Sequence, residues 1–362
     1  MRVVVVGATG NVGTALLRRL AGEPEVTEIV GIARRIPSPR AGHPYTIANW
    51  RSIDISADEA TDRLSQAFAG ADVVVSLAWA IAPSHRRRQL ERINVDGNRA
   101  VIDAVKAAQV PHYIYASSIG AYAPGPPDHR PVDESWPTTG IQGSGYSEQK
   151  ALVERMLDEE EAQPNAPLIT RIRSALVFQR DAGSEIHRYF LGHLFPASVL
   201  RFPIPVVPVP DDWRIQDVHS DDEADVYARA LLRRVGGPFN VATEPVLTPD
   251  DLATLLRGKR ISVPTNLLYE GARFTWYARL QPTDQGWIKM AAQVPVMDSS
   301  RARTELGWIP RHDARAAFRD LVQGIIDRAG TGSPALQPRG IVRTGYPPRA
   351  RRTPAPSDQT QR

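Results

Sequence analysis

The chain's 362 residues, 42% hydrophobic and 23% charged, suffice to bury a large core in one to three domains of ordinary soluble composition. The lack of cysteine excludes disulfides, thiolate metal sites and cysteine nucleophiles, and no apolar run reaches the length of a membrane helix. The formal net charge of +4 belongs to the tail, where residues 331–362 carry six arginines against Asp358, so the body gives no reason to expect a nucleic-acid partner.

In chain order, the apolar run Val3–Val6 predicts a strand and Asn11 to Leu20 an amphipathic helix. No charged leader with a cleavage site precedes that strand, so no signal peptide and a cytoplasmic location are expected. Ile29–Ala33 predicts a second strand and Asp72–Leu77 a buried one, followed by a helix from Arg87 to Ala108. Tyr113–Ala116 predicts a strand, Ser147 to Glu161 a helix, and Leu168–Arg173 another strand. This alternation predicts an α/β fold over residues 1–177, a doubly wound parallel sheet covered on both faces. Residues 178–330 are expected to form mainly a smaller substrate-binding lobe. Within it, the prolines of Arg201–Pro210 exclude a central strand. A helix is predicted from Glu223 to Arg234, a strand at Phe239–Val241, and closing helices at Ser300–Leu306 and Ala314–Arg328. Six prolines without helical pattern predict a disordered basic tail over 331–362.

The first turn, Gly7-Ala8-Thr9-Gly10-Asn11-Val12-Gly13, joins the first strand to the first helix. Backbone must approach a pyrophosphate closely there, which favours glycine at Gly7, Gly10 and Gly13, while Asn11 and Val12 open a helix whose N-terminus attracts phosphate. The second strand ends Gly31-Ile32-Ala33-Arg34-Arg35, with no acid to hold the ribose 2′-OH of NAD. Arg34, with Arg35 beside it, predicts NADP as the preferred cofactor over NAD.

Tyr146 and Lys150 stand at i and i+4, on one helical face. Lys⁺ and a positive nicotinamide ring would favour the phenolate of Tyr146 and make it a base near neutrality. Lys150 is one of four lysines against forty arginines, as expected where a compact ammonium is required. Ser118 follows the strand Tyr113–Ala116, at the carboxyl end where parallel sheets bind ligands, and can polarise a substrate oxygen. Capping of a turn by Ser117 and Ser118 is its plainer role.

Together these residues resemble the extended short-chain dehydrogenase/reductase family, which contains NAD(P)-dependent epimerases and dehydratases. The resemblance covers about residues 1–325 and rests on Gly7-x-x-Gly10-x-x-Gly13, Ser117–Tyr122, Tyr146-x-x-x-Lys150, Asn94-Val95-Asp96-Gly97, Asp217–Asp222 and Glu305–Pro310. It implies a Rossmann domain to which the chain returns near 216–242, and homodimers formed through paired helices. It implies Tyr146 as general acid/base, Lys150 as ribose ligand, and Ser118 as the group polarising the substrate. Asp54 and Ile55 would contact adenine, Leu77, Ala78 and Trp79 would line the cofactor, and Asn94 would belong to the same site. His219 is expected to be structural, with no metal bound.

The departures narrow the reaction. Ile119 and Gly120 stand where dehydratases of the family place an acid. Arg214 lies one residue early for gripping a nucleotide-sugar diphosphate, and Ile215 occupies that position. The family's Leu-Arg-Pro stretch reads Ile172-Arg173-Ser174. Three activities fit: an NADP-dependent oxidoreductase acting on a secondary alcohol or carbonyl, an epimerase that retains its cofactor, and a non-catalytic dinucleotide sensor. Arg86-Arg87-Arg88, after His85, reads as a solvated helix entrance, and the basic tail as plain disorder.

Overall fold

The computed structural model describes residues 1–81, 86–191, 196–278 and 284–338. The expectations for His85 and for the tail arginines from Arg339 onward fall outside them. The first half runs β1 (Arg2–Val6), α1 (Asn11–Leu20), β2 (Glu28–Ala33), β3 (Asn49–Ser52), α2 (Ala60–Phe68), β4 (Val73–Ser76), α3 (Arg87–Glu91), α4 (Gly97–Ala107), β5 (His112–Ala116), α5 (Gly145–Glu161) and β6 (Leu168–Ser174). Then follow β7 (Leu176–Phe178), α6 (Gly183–Ile186), β8 (Val206–Val209), β9 (Asp217–His219), α7 (Ser220–Arg233) and β10 (Gly237–Val241). The chain continues with α8 (Pro249–Leu255), β11 (Lys259–Ser262), α9 (Thr265–Tyr277), α10 (Gln285–Gln293), α11 (Ser300–Glu305) and α12 (Ala314–Ile326).

Seven parallel strands form the central sheet in the order β10-β6-β5-β4-β1-β2-β3. β1 and β4 are buried on both faces and accordingly read as unbroken valine runs. One face is covered by α1 and α7, which bury Leu16, Leu17, Tyr227 and Leu231 with Trp308. The other is covered by α2, α4 and α5 through Leu64, Phe68, Val101, Val153 and Leu157. The order reverses between β1 and β4, so the carboxyl ends of these strands form the crevice in which such sheets bind ligands.

Two expectations are corrected. The helix foreseen from Arg87 to Ala108 is interrupted by a wide turn over Arg92–Asp96, of the π type that often marks functional sites. Gly97 restarts it against Ile55; a Cβ at residue 97 would lie 2.8 Å from Ile55 Cγ1. The tail foreseen as disordered from 331 is packed over residues 331–338, where Ser333 and Leu336 are fully buried. The proline-rich stretch yields β8, paired in parallel with β11 in a separate two-stranded sheet. β10 extends the central sheet beside β6.

Candidate active site

The glycine turn fits a close-lying ligand. Gly7 has φ +86°, and a Cβ there would stand 2.7 Å from the Ala78 backbone nitrogen at the end of β4. A Cβ at Gly13 would stand 2.5 Å from the Gly7 carbonyl oxygen. Only glycine keeps this junction tight, which brings the N-terminus of α1 to the crevice and fits a pyrophosphate. Asn11 is held from one flank: its Nδ2 donates to Val177 O at 2.9 Å, and Gln179 Nε2 donates to its side-chain oxygen at 2.5 Å. Val12 packs partly buried against the core.

Arg34 and Arg35 are exposed immediately beyond β2. The Arg34 carbonyl accepts from Ser52 Oγ at 3.1 Å. Asp54 accepts from Ser56 N at 3.1 Å and Ser56 Oγ at 2.8 Å, closing the turn after β3. Leu77 N donates to Val6 O at 2.8 Å, continuing β4 toward Ala78 and Trp79. Asn94 accepts from Ala80 N at 2.7 Å and donates to Ala80 O at 3.1 Å and Gln149 Oε1 at 2.9 Å. It therefore fixes the wall after β4, and its amide is spent on protein partners.

Ser118, Tyr146 and Lys150 come together above β5. The Ser118 Oγ accepts from Gly120 N at 3.0 Å, capping the turn Ile119–Ala121, and lies close enough to the Tyr146 phenol to act on it. The capping role foreseen for it is thus present, and the same hydroxyl faces the phenol. Burial pushes the phenol up to about 12, while the Ser118 hydroxyl works the other way. Lys150 Nζ donates to Ala116 O at 2.7 Å and Tyr115 Oη at 3.4 Å and lies 3.7 Å from the Trp79 ring centroid. Burial lowers its ammonium to about 7, although Glu154 and Glu223 favour the charge. The protein alone therefore raises the phenol rather than lowering it, because desolvation, with the Glu223 charge, outweighs the Ser118 hydroxyl.

Tyr146 stands between two indoles, with ring centroids 5.9 Å from Trp79 and 5.1 Å from Trp287, and Phe190 meets Trp287 edge-on at 5.2 Å. A cavity of about 380 Å³ opens beside it, lined by Ile81, Leu90, Leu152 and Trp287 and by Arg87 and Arg155. Arg87 pairs with Asp284 at 3.1 Å, so this arginine ties α3 to the start of α10 rather than only meeting solvent.

Beneath the site lies a buried charge network that sequence reading missed. Glu154, one turn beyond Lys150, accepts from Arg171 at 3.0 Å and from both Arg173 Nε and Nη2 at 3.0 Å, and also bonds Ser117 Oγ. Arg173 continues to Tyr122 Oη at 3.0 Å, and Tyr122 to Asn240 Oδ1 at 2.6 Å. Burial alone would raise the Glu154 carboxyl, but the Arg173 and Arg171 charges hold it below its ordinary value. The available signal was Arg171 and Arg173 at i and i+2 in a strand with the isoleucines Ile169 and Ile172, where two buried cations require an acid.

His219 caps α7 by accepting from Asp221 N at 3.2 Å and stacks on His312 at 4.0 Å. No metal-binding cluster occurs among the described residues. Glu223 is buried against Ser174, with one oxygen unpartnered among the described residues, and burial raises it to about 7. Arg214 turns onto its own chain, donating to Asp211 O at 3.0 Å and Trp213 O at 2.8 Å.

Residues 3–242 match the model of the NAD dependent epimerase/dehydratase family. An uncharacterized protein of Mycobacterium tuberculosis is 25% identical over 342 residues, covering 89% of this chain and 83% of that protein. A UDP-glucose 4-epimerase of Azospirillum brasilense is 25% identical over 340 residues, covering 86% and 88%. The fold is that of the Thermus thermophilus UDP-glucose 4-epimerase solved with NAD, at a TM-score of 0.67 and 18% identity over 90% of this chain and 99% of that one. With the glycine cradle, the seven-stranded sheet and a matched region holding every residue of the Ser118–Tyr146–Lys150 cluster, the chain belongs to the NAD dependent epimerase/dehydratase family and is an NAD-dependent enzyme.

Proposed function

We propose that the protein is a net oxidoreductase, preferring NADP, that interconverts a secondary alcohol and a carbonyl with Tyr146 as general acid/base. The observation that carries this reading is the placing of the Ser118 hydroxyl near the Tyr146 phenol, with Lys150 one turn along the same helix and held at Ala116 O, at the carboxyl end of the sheet next to the glycine cradle. The nicotinamide cofactor, when bound, supplies redox capacity at the reacting carbon. Ser118 orients the substrate oxygen, and Tyr146 takes its proton in oxidation or returns it in reduction. Lys150 holds positive charge near the phenol and the ribose. Asp54, Ile55, Leu77, Ala78 and Trp79 form the walls against which the dinucleotide lies.

The substrate is proposed to be a small molecule with an apolar or aromatic body beside the reacting carbon, because Trp79 and Trp287 flank the phenol and Phe190 packs on Trp287. The self-bonded Arg214 offers no grip for a nucleotide-sugar diphosphate. Arg34 at the end of β2 supports NADP over NAD. Within this reading the enzyme works as a cytoplasmic homodimer paired through helices. The retained-cofactor epimerase is the second reading, favoured by the similarity to the Azospirillum epimerase along most of both chains.

Thermal shifts with NADP⁺ and NAD⁺ rank the cofactors, since a ligand that binds only the native state raises stability by RT ln(1 + [L]/Kd). The expected result is a larger shift with NADP⁺, abolished as a preference in Arg34→Ala, with Tyr146→Phe binding normally but inactive. Tightly co-purifying NAD with turnover of UDP-sugars would replace this reading by the epimerase.

A further inference from the structure

Beyond the region matched to the family, the chain doubles back onto the dinucleotide turn. Ser333 is fully buried, and its Oγ donates to the carbonyl of Thr9, inside the glycine turn, at 2.5 Å. Two residues earlier, the Thr331 hydroxyl lies 2.6 Å from Tyr45 Oη, which lies 3.0 Å from Thr14 Oγ1 on α1. Gly332 is pressed onto Ala41, since a Cβ there would stand 2.8 Å from Ala41 Cα. Ala41 and Tyr45 belong to the loop between β2 and β3, the same loop that begins with Arg34 and Arg35. The lobe grips the other side of the segment: Arg188 donates to Ala335 O at 2.9 Å and to Gln337 O at 3.1 Å. Ser184 N donates to Ala329 O at 3.2 Å.

We propose that residues 331–338 form a strap that positions the adenosine half of the cofactor site, with Ser333 and Thr331 as its positioning residues. Ser333 satisfies a carbonyl that the tight turn leaves without a sheet or helix partner, which fixes the peptide planes between Gly7 and Gly10. Thr331, through Tyr45, holds the β2–β3 loop against α1 at the spacing between the turn and the arginines. The opposite flank of the turn is already held by Gln179 and Val177 on Asn11. The cradle is therefore clamped from both sides before ligand arrives, and pre-organisation of this kind lowers the cost of binding. This inference rests on dinucleotide binding at the glycine turn. It does not depend on whether the reaction is net oxidation or epimerisation.

The test uses the full chain and measures Kd by titration calorimetry for two ligands. One is whichever of NADP⁺ and NAD⁺ the parent protein binds more tightly; the other is ADP-ribose, which lacks nicotinamide. Thr331→Val and Ser333→Ala are expected to weaken both ligands by the same factor, about five- to tenfold. Thr331→Ser, which keeps the hydroxyl, is expected to bind both as the parent does. A lowered melting temperature with both affinities within about twofold of the parent would make the strap merely structural and overturn the proposal. Weakening confined to the dinucleotide, with ADP-ribose unaffected, would overturn it too, because the effect would then lie at the nicotinamide end. A parent chain that binds neither ligand would instead remove the dinucleotide reading itself.

Discussion

Gly120 lies flat against the ring of Tyr146: a methyl group at residue 120 would stand 2.8 Å from Cε1 and 3.1 Å from Cδ1. The residue that departs from the acidic pattern of dehydratases is thus also the floor on which the phenol rests. Ser147 reinforces the arrangement by donating to Gly120 O at 2.5 Å and accepting from Ile141 N at 2.6 Å. Gly120→Ala is expected to push the phenol off Ser118 and cost on the order of 100-fold in kcat, as displacements near 1 Å do. The Kd for dinucleotide should stay within about twofold. Unchanged kcat in this variant would show that the Ser118–Tyr146 contact is not needed for turnover.

The pH dependence follows from burial. Tyr146 is pushed up to about 12 and Lys150 down to about 7. Oxidation requires the phenolate, so its kcat/KM is expected to climb with rising pH through the neutral and alkaline range. Reduction requires the phenol as acid and should stay level there until the phenol itself titrates. A bound positive nicotinamide moves the tyrosine step downward, so the step should lie lower in kcat, which reports the complex, than in kcat/KM. Parallel profiles in the two directions would exclude Tyr146 as the proton carrier.

Asp217 is fully buried in β9 with both carboxylate oxygens unpartnered among the described residues. Burial, helped by Asp313, raises it from 3.8 to about 8. Between these values the folded state holds a proton that the unfolded state has released, so stability falls as pH rises from about 4 to about 8. Asp217→Asn removes that penalty. Its melting temperature should exceed the parent's at pH 8 and converge on it at pH 4. A gain that is the same at both pH values would mean that the carboxyl does not titrate in this window.

Glu154 sits between Arg171 and Arg173 with its side chain fully buried. Removing one partner of a buried ionic cluster typically costs about 3–5 kcal/mol, because the remaining charges are left uncompensated. Glu154→Gln is therefore expected to lower stability by an amount in that range, measured by denaturant unfolding. The cluster reaches the site through Ser117 and through the charge of Glu154 on Lys150, and an effect below about 1 kcal/mol would show that the arginines find water or other partners.

What was legible in the sequence was the part governed by local rules. Val3–Val6, the glycine junction, Asn11–Leu20 and the Tyr146–Lys150 spacing each carry their own short-range signal, and together they define the nucleotide-binding half. β3 gave none: Asn49–Ser52 is a largely exposed edge strand paired, among the described residues, to β2, so no buried alternation marks it. The aromatic wall was equally silent, since Trp79 and Trp287 meet Tyr146, and Phe190 meets Trp287, only through tertiary packing. The segment 331–338 was misjudged because proline content describes local stiffness, whereas Ser333 bonds Thr9, 324 positions away, and Leu336 is fully buried.

The two indoles flanking Tyr146 make the molecule optically self-reporting. Any ligand laid against the phenol must come within a few ångströms of Trp79 or Trp287. A reduced nicotinamide there absorbs light where indoles emit it, and energy transfer over so short a path is nearly complete. Occupancy of the reacting position can then be followed in real time by intrinsic fluorescence, without a label and before any substrate has been identified.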